Sequence, residues 1–280
     1  MSRVSIVIPC FNAGRFLEET VASALTQTHP DVEIVIVDDG STDSETLKLL
    51  NRAAWPRTRI FHQANQGPAA ARNHAIREAT GEYILPLDAD DKLHPEYAAQ
   101  AAQVLDKDQA VGIVYCKAMK FGVENGPWTL PPFSVEKLVI DNIIFCSAMF
   151  RRRDWAAVGG YRESMRHGME DYEFWIRMVA HGCGVWQIDA YLFFYRTHKV
   201  SRTRRFLDKR ENVIRTYAEI YRANRDFFAR HAYVIYAHRQ QLFREIEELK
   251  IFDGRIRRLL AGIPGLKKAY RRILQMLADR

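Results

Sequence analysis

Short, mostly apolar runs that alternate with helically spaced segments constrain this chain more than any other feature. Val4 to Ile8, Val32 to Val37 and Tyr83 to Leu87 are such runs, and they read as strands buried on both faces of a parallel sheet. Between the first two, Phe16-Leu17, Val21 and Ala24-Leu25 recur at helical spacing and predict a helix over about Arg15 to Gln27. Ser44 to Arg52 reads as a second helix and Arg59 to Gln63 as a weaker strand. A third helix runs from Gly67-Pro68 to Ala79, since Pro suits a helix start and Gly81 its end. This β-α-β-α-β-α-β order predicts an α/β fold, a doubly wound, mostly parallel sheet.

Further along, the pattern loosens. Pro95 starts a helix near Glu96 to Val104, Val111 to Tyr115 and Ile143 to Phe150 read as strands, and Gly122 to Pro132 reads as loop. Asp171 to Ala180 reads as a helix with Trp175 and Met178 inward, and everything from Arg210 onward as helical. Two domains are expected, residues 1–205 and a helical, basic C-terminal extension, 206–280. Charge supports that division. The chain carries +7, yet residues 201–280 hold 20 Lys/Arg against 9 Asp/Glu, which leaves the first 200 residues acidic. Cys10, Cys116, Cys146 and Cys183 show no Cys-x-x-Cys spacing, and three of them follow apolar residues, as buried reduced thiols do. No secretory signal opens the chain, and no apolar stretch approaches the roughly 18–20 residues of a membrane span. The expected setting is cytoplasmic.

The chemistry concentrates where strands end. Asp88-Ala89-Asp90-Asp91 directly follows the Tyr83 to Leu87 run, which puts three carboxylates at the carboxyl edge of the sheet, where open α/β folds bind ligands. Carboxylates so close repel one another unless a cation sits among them. Oxygen ligands favour Mg²⁺ or Mn²⁺, commonly shared with a phosphate. Taken alone, the same acids also read as a turn leading into the helix after Pro95. Asp38-Asp39 ends the second run at the same edge. Arg72, about one turn inside the third helix, is by itself a solvated charge; opposite a metal–diphosphate site it would hold a phosphate oxygen. No Gly-x-Gly-x-x-Gly follows the first strand and no Walker-type Gly-Lys-Ser/Thr occurs, which argues against nicotinamide enzymes and P-loop ATPases.

In this order the pieces resemble the inverting glycosyltransferases of family 2, which have the GT-A fold. The resemblance is carried by Val4-Ser5-Ile6-Val7-Ile8-Pro9 with Phe11-Asn12, and by Ile36-Val37-Asp38-Asp39-Gly40-Ser41-Thr42-Asp43. Asn65-Gln66-Gly67 with Arg72-Asn73, Leu87-Asp88-Ala89-Asp90-Asp91, and Gly168-Met169-Glu170-Asp171-Tyr172-Glu173-Phe174-Trp175 follow. Phe11 stands where the family often has Tyr; a hydroxyl is lost and a flat face kept. The resemblance implies a nucleotide-sugar donor, most commonly a UDP-sugar, and a glycan or glycolipid acceptor of cell-surface polysaccharide assembly. It implies that Pro9, Phe11, Asn12 and Asp39 line the nucleobase and ribose pocket and that Arg72 touches the donor's nucleotide. Asp88 would bind ribose or assist the metal, Asp90 would ligate it, and Asp91 would be a third acid. Arg196 and His198, in Tyr195-Arg196-Thr197-His198-x-x-Ser201, match a pattern near the donor phosphates, with His198 in the metal set. Attack by an acceptor hydroxyl needs a base opposite the leaving diphosphate, and the resemblance gives Asp171 that role. Its other reading is an N-cap aspartate beside a solvated Glu170. A transferase-like scaffold or membrane-bound binding module without activity is the alternative; the presence of every acid of the pattern speaks against it.

The tail matches no pattern of the family. Ile256, Leu259, Leu260 and Ile263 form one apolar stripe, and Leu266, Tyr270, Ile273, Leu274 and Leu277 a second, among Lys267, Lys268, Arg271 and Arg272. Basic amphipathic helices lie on anionic membranes, here the inner face. The same stripes also read as a helix packed on its own domain or on a second copy in a homo-oligomer. No nucleic-acid-reading motif accompanies the charge, so nucleic acid is not an expected partner.

Overall fold

In the computed structural model of this chain, which describes residues 2–166, 168–200 and 206–259, the first strands form where the apolar runs lie. Strands β1 (Val4–Cys10), β2 (Val32–Asp38), β3 (Thr58–His62) and β4 (Tyr83–Pro86) are linked by α1 (Gly14–Leu25), α2 (Ser44–Arg52) and α3 (Pro68–Glu78). They lie in the order β3-β2-β1-β4, each pair parallel. Ile34, Val35, Ile36 and Val37 are consecutive and all fully buried, so both faces of the sheet are covered, as their composition requires. Packing is close: a Cβ on Gly14 would stand 2.5 Å from the backbone nitrogen of Thr46, so only glycine lets α1 start against α2.

The second half comprises β5 (Lys92–Leu93), α4 (Tyr97–Lys107), β6 (Val111–Gly122), β7 (Gly126–Trp128), α5 (Val135–Ile140), β8 (Met149–Arg151), α6 (Arg152–Ala157), α7 (Glu170–Ala180) and β9 (Gly184–Thr197). The sheet continues from β4 through β8, β6 and β9 to β5, with β7 on β6. Strand β8 runs antiparallel to both β4 and β6, whereas β6 and β9 form a long parallel pair. The sheet is therefore mixed, with the longest pairings parallel. Of the strand expected over Ile143 to Phe150, only Met149 and Phe150 enter a strand. Ile143, Ile144 and Phe145 are buried in irregular chain, and a short apolar run does not by itself tell a buried loop from a strand.

The chain is helical again in α8 (Arg210–Ala223), α9 (Arg225–Arg230) and α10 (Ala232–Leu259). Two compact units divide between Ala229 and Arg230, later than the expected boundary at 205/206. The reason is burial. Thr216, Ile220, Phe227 and Phe228 of α8 and α9 are covered within the first unit, and Asn224 Nδ2 donates to Glu173 of α7 at 3.3 Å. The described part of the second unit is α10; the stripe expected from Leu260 onward lies outside the described residues, as does Ser201. Among the described residues no helix is long and apolar enough to cross a membrane. Cys10 and Cys116 are buried and Cys146 and Cys183 half-buried, all four as free thiols.

Candidate active site

Strand β4 delivers the acidic turn to the sheet edge. Asp91 N donates to Asp88 O at 3.1 Å, and the hydroxyl of Thr20 on α1 bridges the carbonyls of Ala89 and Asp91. The three acids then part. Asp88 Oδ1 accepts from Arg72 Nη2 at 2.5 Å. Asp90 Oδ2 meets His198 Nε2 at 2.8 Å; burial, then repulsion from Asp88, raises its carboxyl above the ordinary range. Asp91 turns inward, 1% exposed: its Oδ1 accepts from Arg196 N at 2.7 Å, and its buried Oδ2 has no hydrogen-bond partner among the described residues. Asp91 is the buried member of the three, where the Asp88 and Asp90 side chains each stay 35% exposed. Arg196 is also committed. Its Nε donates to Asp90 O at 2.7 Å, its guanidinium pairs with Glu19 and lies 4.3 Å from the Phe121 ring centre. It pins β9 to the turn.

Beside the turn stand the ends of β1 and β2. Pro9 lies opposite Val37 in the ladder. Asn12 accepts on Oδ1 from Thr42 N and Asp43 N at 2.8 and 3.1 Å. Asp39, 3% exposed, accepts from Gln63 Nε2, Gln66 N and Gly67 N, each at 2.8 Å. These two side chains brace three loops around Phe11, whose ring is half exposed.

Helix α7 brings in the other carboxylate. It starts behind Met169, which sits at φ 64°, a left-handed conformation that non-glycine residues keep only where the surroundings enforce it. Asn12 and Met169 are two of the three such residues among those described, and both border the site. Buried Glu173 anchors the helix through Arg177 at 2.7 Å and Arg162 at 3.1 Å. Asp171, half-buried, accepts on Oδ1 from Tyr172 N at 2.8 Å and on Oδ2 from Asn142 Nδ2 at 3.1 Å. Burial, then the adjacent Glu170 carboxylate, pushes its carboxyl up to about 6. The N-cap reading does not hold, because Met169 occupies the cap position. Nor is Glu170 solvated: it is buried, and its Oε1 accepts from Arg72 Nη1 at 2.8 Å.

Asp88 and Asp171 line one cavity of about 330 Å³. Arg72, 2% exposed, lies between the two sides, bridging Asp88 and Glu170. Both of its terminal nitrogens are engaged in these two ion pairs. Trp128, 4.7 Å from Tyr195 between ring centres, gives the cavity an aromatic wall, and Cys146 Sγ lies 3.5 Å from Asp88 Oδ2. Asn142 and, from α8, Tyr217 close it on the Asp171 side. The cavity thus joins Asp88, Arg72 and Asp171; Asp90 on the turn, held by Arg196 and His198 from the end of β9, and Pro9, Phe11, Asn12 and Asp39 at the ends of β1 and β2 do not line it. Sequence reasoning missed Trp128, Asn142, Cys146 and Tyr217. Trp128 falls in a stretch that reads as loop, and the other three belong to no motif. Among the described residues no three His, Cys, Asp or Glu side chains converge as a metal cage.

The sequence profile described as glycosyl transferase family 2 matches residues 5–161. Chondroitin synthase of Escherichia coli is 36% identical over 182 residues, 62% of this chain; the match spans only 26% of that protein's length. Staphylococcus aureus TarS 1–349, solved with UDP-GlcNAc, superposes with a TM-score of 0.61 at 18% identity, over 72% of this chain and 60% of that one. The mannosyltransferase PcManGT of Pyrobaculum calidifontis, solved with GDP-Man and Mn²⁺, gives 0.59 at 22% identity, over 89% and 81%. Both likenesses carry the fold, which is GT-A.

Proposed function

The chain belongs to glycosyl transferase family 2, and we propose that it moves a glycosyl group from a nucleotide-diphosphate sugar to an acceptor hydroxyl, with inversion. The observation that carries this reading is Asp171, a carboxylate held at about 6 in the same cavity as the donor-side acid Asp88. At neutral pH Asp171 is mostly ionised, and it binds a proton more readily than an ordinary aspartate, as a general base should. It takes the acceptor's proton as the acceptor oxygen bonds to the anomeric carbon. The bond from that carbon to the diphosphate oxygen breaks on the opposite face, without a covalent intermediate. Phe11 offers a stacking face to the nucleobase, and Arg72 neutralises Asp88 and Glu170 so that the two sides stand close together.

The turn fits a divalent cation. Asp88 and Asp90 crowd each other and present carboxylate oxygens beside the His198 imidazole. Mg²⁺ and Mn²⁺ commonly take only one or two protein carboxylates when a diphosphate supplies other oxygens, so a three-residue cage is not required. When bound, the ion stabilises charge on the leaving diphosphate. A UDP-sugar is the donor we favour, because TarS was solved with UDP-GlcNAc; a GDP-sugar is the second choice, from the mannosyltransferase. The likeness to a chondroitin synthase supports a glycan acceptor. The basic residues 201–280 support a peripheral position on an anionic membrane face, which sedimentation with anionic liposomes tests. The function itself is tested by thermal shift against nucleotide sugars with Mn²⁺, followed by nucleotide release with and without EDTA. No shift with any nucleotide sugar removes the transferase reading. Undiminished turnover in EDTA removes the metal.

A further inference from the structure

We infer that Tyr217 and Asp141 act through Asn142 to position the Asp171 carboxylate, so that α8, outside the matched residues 5–161, completes the acceptor side of the site. The inference rests on Asp171 being the base. Tyr217 Oη donates to Asp141 Oδ1 at 2.7 Å, and the same oxygen accepts from Asn142 N at 2.7 Å. Asn142 Oδ1 accepts from Ile144 N at 3.3 Å, which fixes the amide with its NH₂ toward Asp171 Oδ2, 3.1 Å away. All four side chains line the one cavity.

The chain of bonds has firm ends. Asp141 is the C-cap of α5, and Tyr172 Oη of α7 donates to Leu138 O of α5 at 2.7 Å. The Tyr172 and Tyr217 rings stand 6.0 Å apart. Helix α8 is in turn held by Ser164 Oγ donating to Glu219 Oε1 at 2.9 Å and by the Asn224–Glu173 bond. Asp141 is exposed, so among the bonds described its tie to α8 is the one that fixes the side chain from outside its own loop. A carboxylate that is to meet a hydroxyl needs a fixed lone-pair direction, and this network supplies it. The groups that set its charge are Glu170 beside it, Arg72 from α3, Cys146, Tyr161 and Tyr217, with Asp141 behind Asn142.

The test compares Asn142→Ala, Asn142→Asp and Tyr217→Phe in the full-length protein, with UDP-sugar, Mn²⁺ and acceptor. Asn142→Ala should lower kcat by about 10-fold, short of the roughly 10²-fold of a misplaced group, and leave donor KM unchanged. Because it removes a bond to the ionised carboxylate, the acidic limb of the pH–rate profile should move to higher pH. Asn142→Asp keeps the shape, puts a like charge beside Asp171, and should move the limb the same way even if the alanine variant folds poorly. Tyr217→Phe should shift the limb less, and should add nothing in the Asn142→Ala background. Equal losses from Tyr217→Phe in both backgrounds would overturn the relay, since the hydroxyl would then act on its own. So would an unmoved limb in both Asn142 variants. Asp171→Asn separates the two readings: if it retains transfer, the base assignment fails. If it is inactive and the Asn142 variants behave as wild type, only the positioning fails.

Discussion

The two sides of the cavity are built in opposite ways. The side proposed to hold the donor is a four-residue turn on the end of β4, closed by one local backbone bond and braced by α1. The side proposed to face the acceptor draws on residues far apart in sequence: Asn142 and Asp171 are 29 positions apart, Asp141 and Tyr217 76. A turn fixed to a buried strand changes little when distant segments change. A wall made of loops and an added helix is free to vary, as loops on a rigid scaffold generally do. On the proposed function, the sheet edge fixes where the donor's diphosphate goes, and the attached loops and helix shape the acceptor side.

Breaking one side at a time shows whether they are separable. The largest effect should come from Asp171→Asn, which keeps the shape and removes the proton acceptor: transfer should fall by about 10²–10⁴-fold. Donor binding, measured by calorimetry with Mn²⁺, should hold. A parallel loss of donor affinity would mean that Arg72, between Asp88 and Glu170, couples the two sides. The converse experiment acts on the turn. Asp90→Ala, or EDTA on the wild-type protein, should weaken donor binding to a common low level, because Asp88 and Asp90 then lack the cation that reconciles them. Donor binding unchanged in EDTA would leave the turn a structural cap.

The same contrast explains what was legible in the sequence. The parallel half could be read because each strand and helix carries its own period; Ser44 to Arg52 forms α2 at those bounds. Asp88, Asp90 and Asp171 stand out in the sequence because each sits in a local motif. Strand β9 mixes Gln187, Asp189 and Arg196 with aromatics and owes its existence to a long-range ladder with β6, which no local pattern announces. Asn142 and Tyr217 are ordinary residues until the fold brings them together. The burial of Asp91 was not legible for a related reason: the acids of the turn look alike in sequence, and Arg196 N, which Asp91 Oδ1 accepts from, arrives from β9.

A smaller effect sharpens the base assignment. If Asp171 titrates near 6, kcat/KM should fall as pH drops below that value, approaching about tenfold per pH unit, as the base becomes protonated. Donor binding over the same range should change less. A profile flat down to pH 5 would show that no group of this kind limits transfer.

The smallest effect is on stability, and its sign is opposite to that on activity. The Asp171 carboxyl lies at about 6 in the folded protein against 3.8 as its ordinary value. Between those values the folded state holds a proton that the unfolded state has lost, so stability declines as pH rises through this window. Above about pH 6 the folded protein carries the full cost of an ionised group that burial and Glu170 disfavour. Asp171→Asn removes the charge, and its one side-chain oxygen can still accept from Asn142, though the bond from Tyr172 N is then lost. The variant should therefore be more stable than wild type at pH 7.5 by about 1–2 kcal/mol, discounted for partial exposure, or a rise of roughly 2–8 °C in Tm. Near pH 4 the advantage should shrink, because the wild-type group is then protonated in the folded state. Melting curves of the two proteins without donor or metal, at both pH values, decide the matter. A gain that does not depend on pH would come from packing and not from charge, and would leave the acceptor side without the built-in cost that a poised base carries.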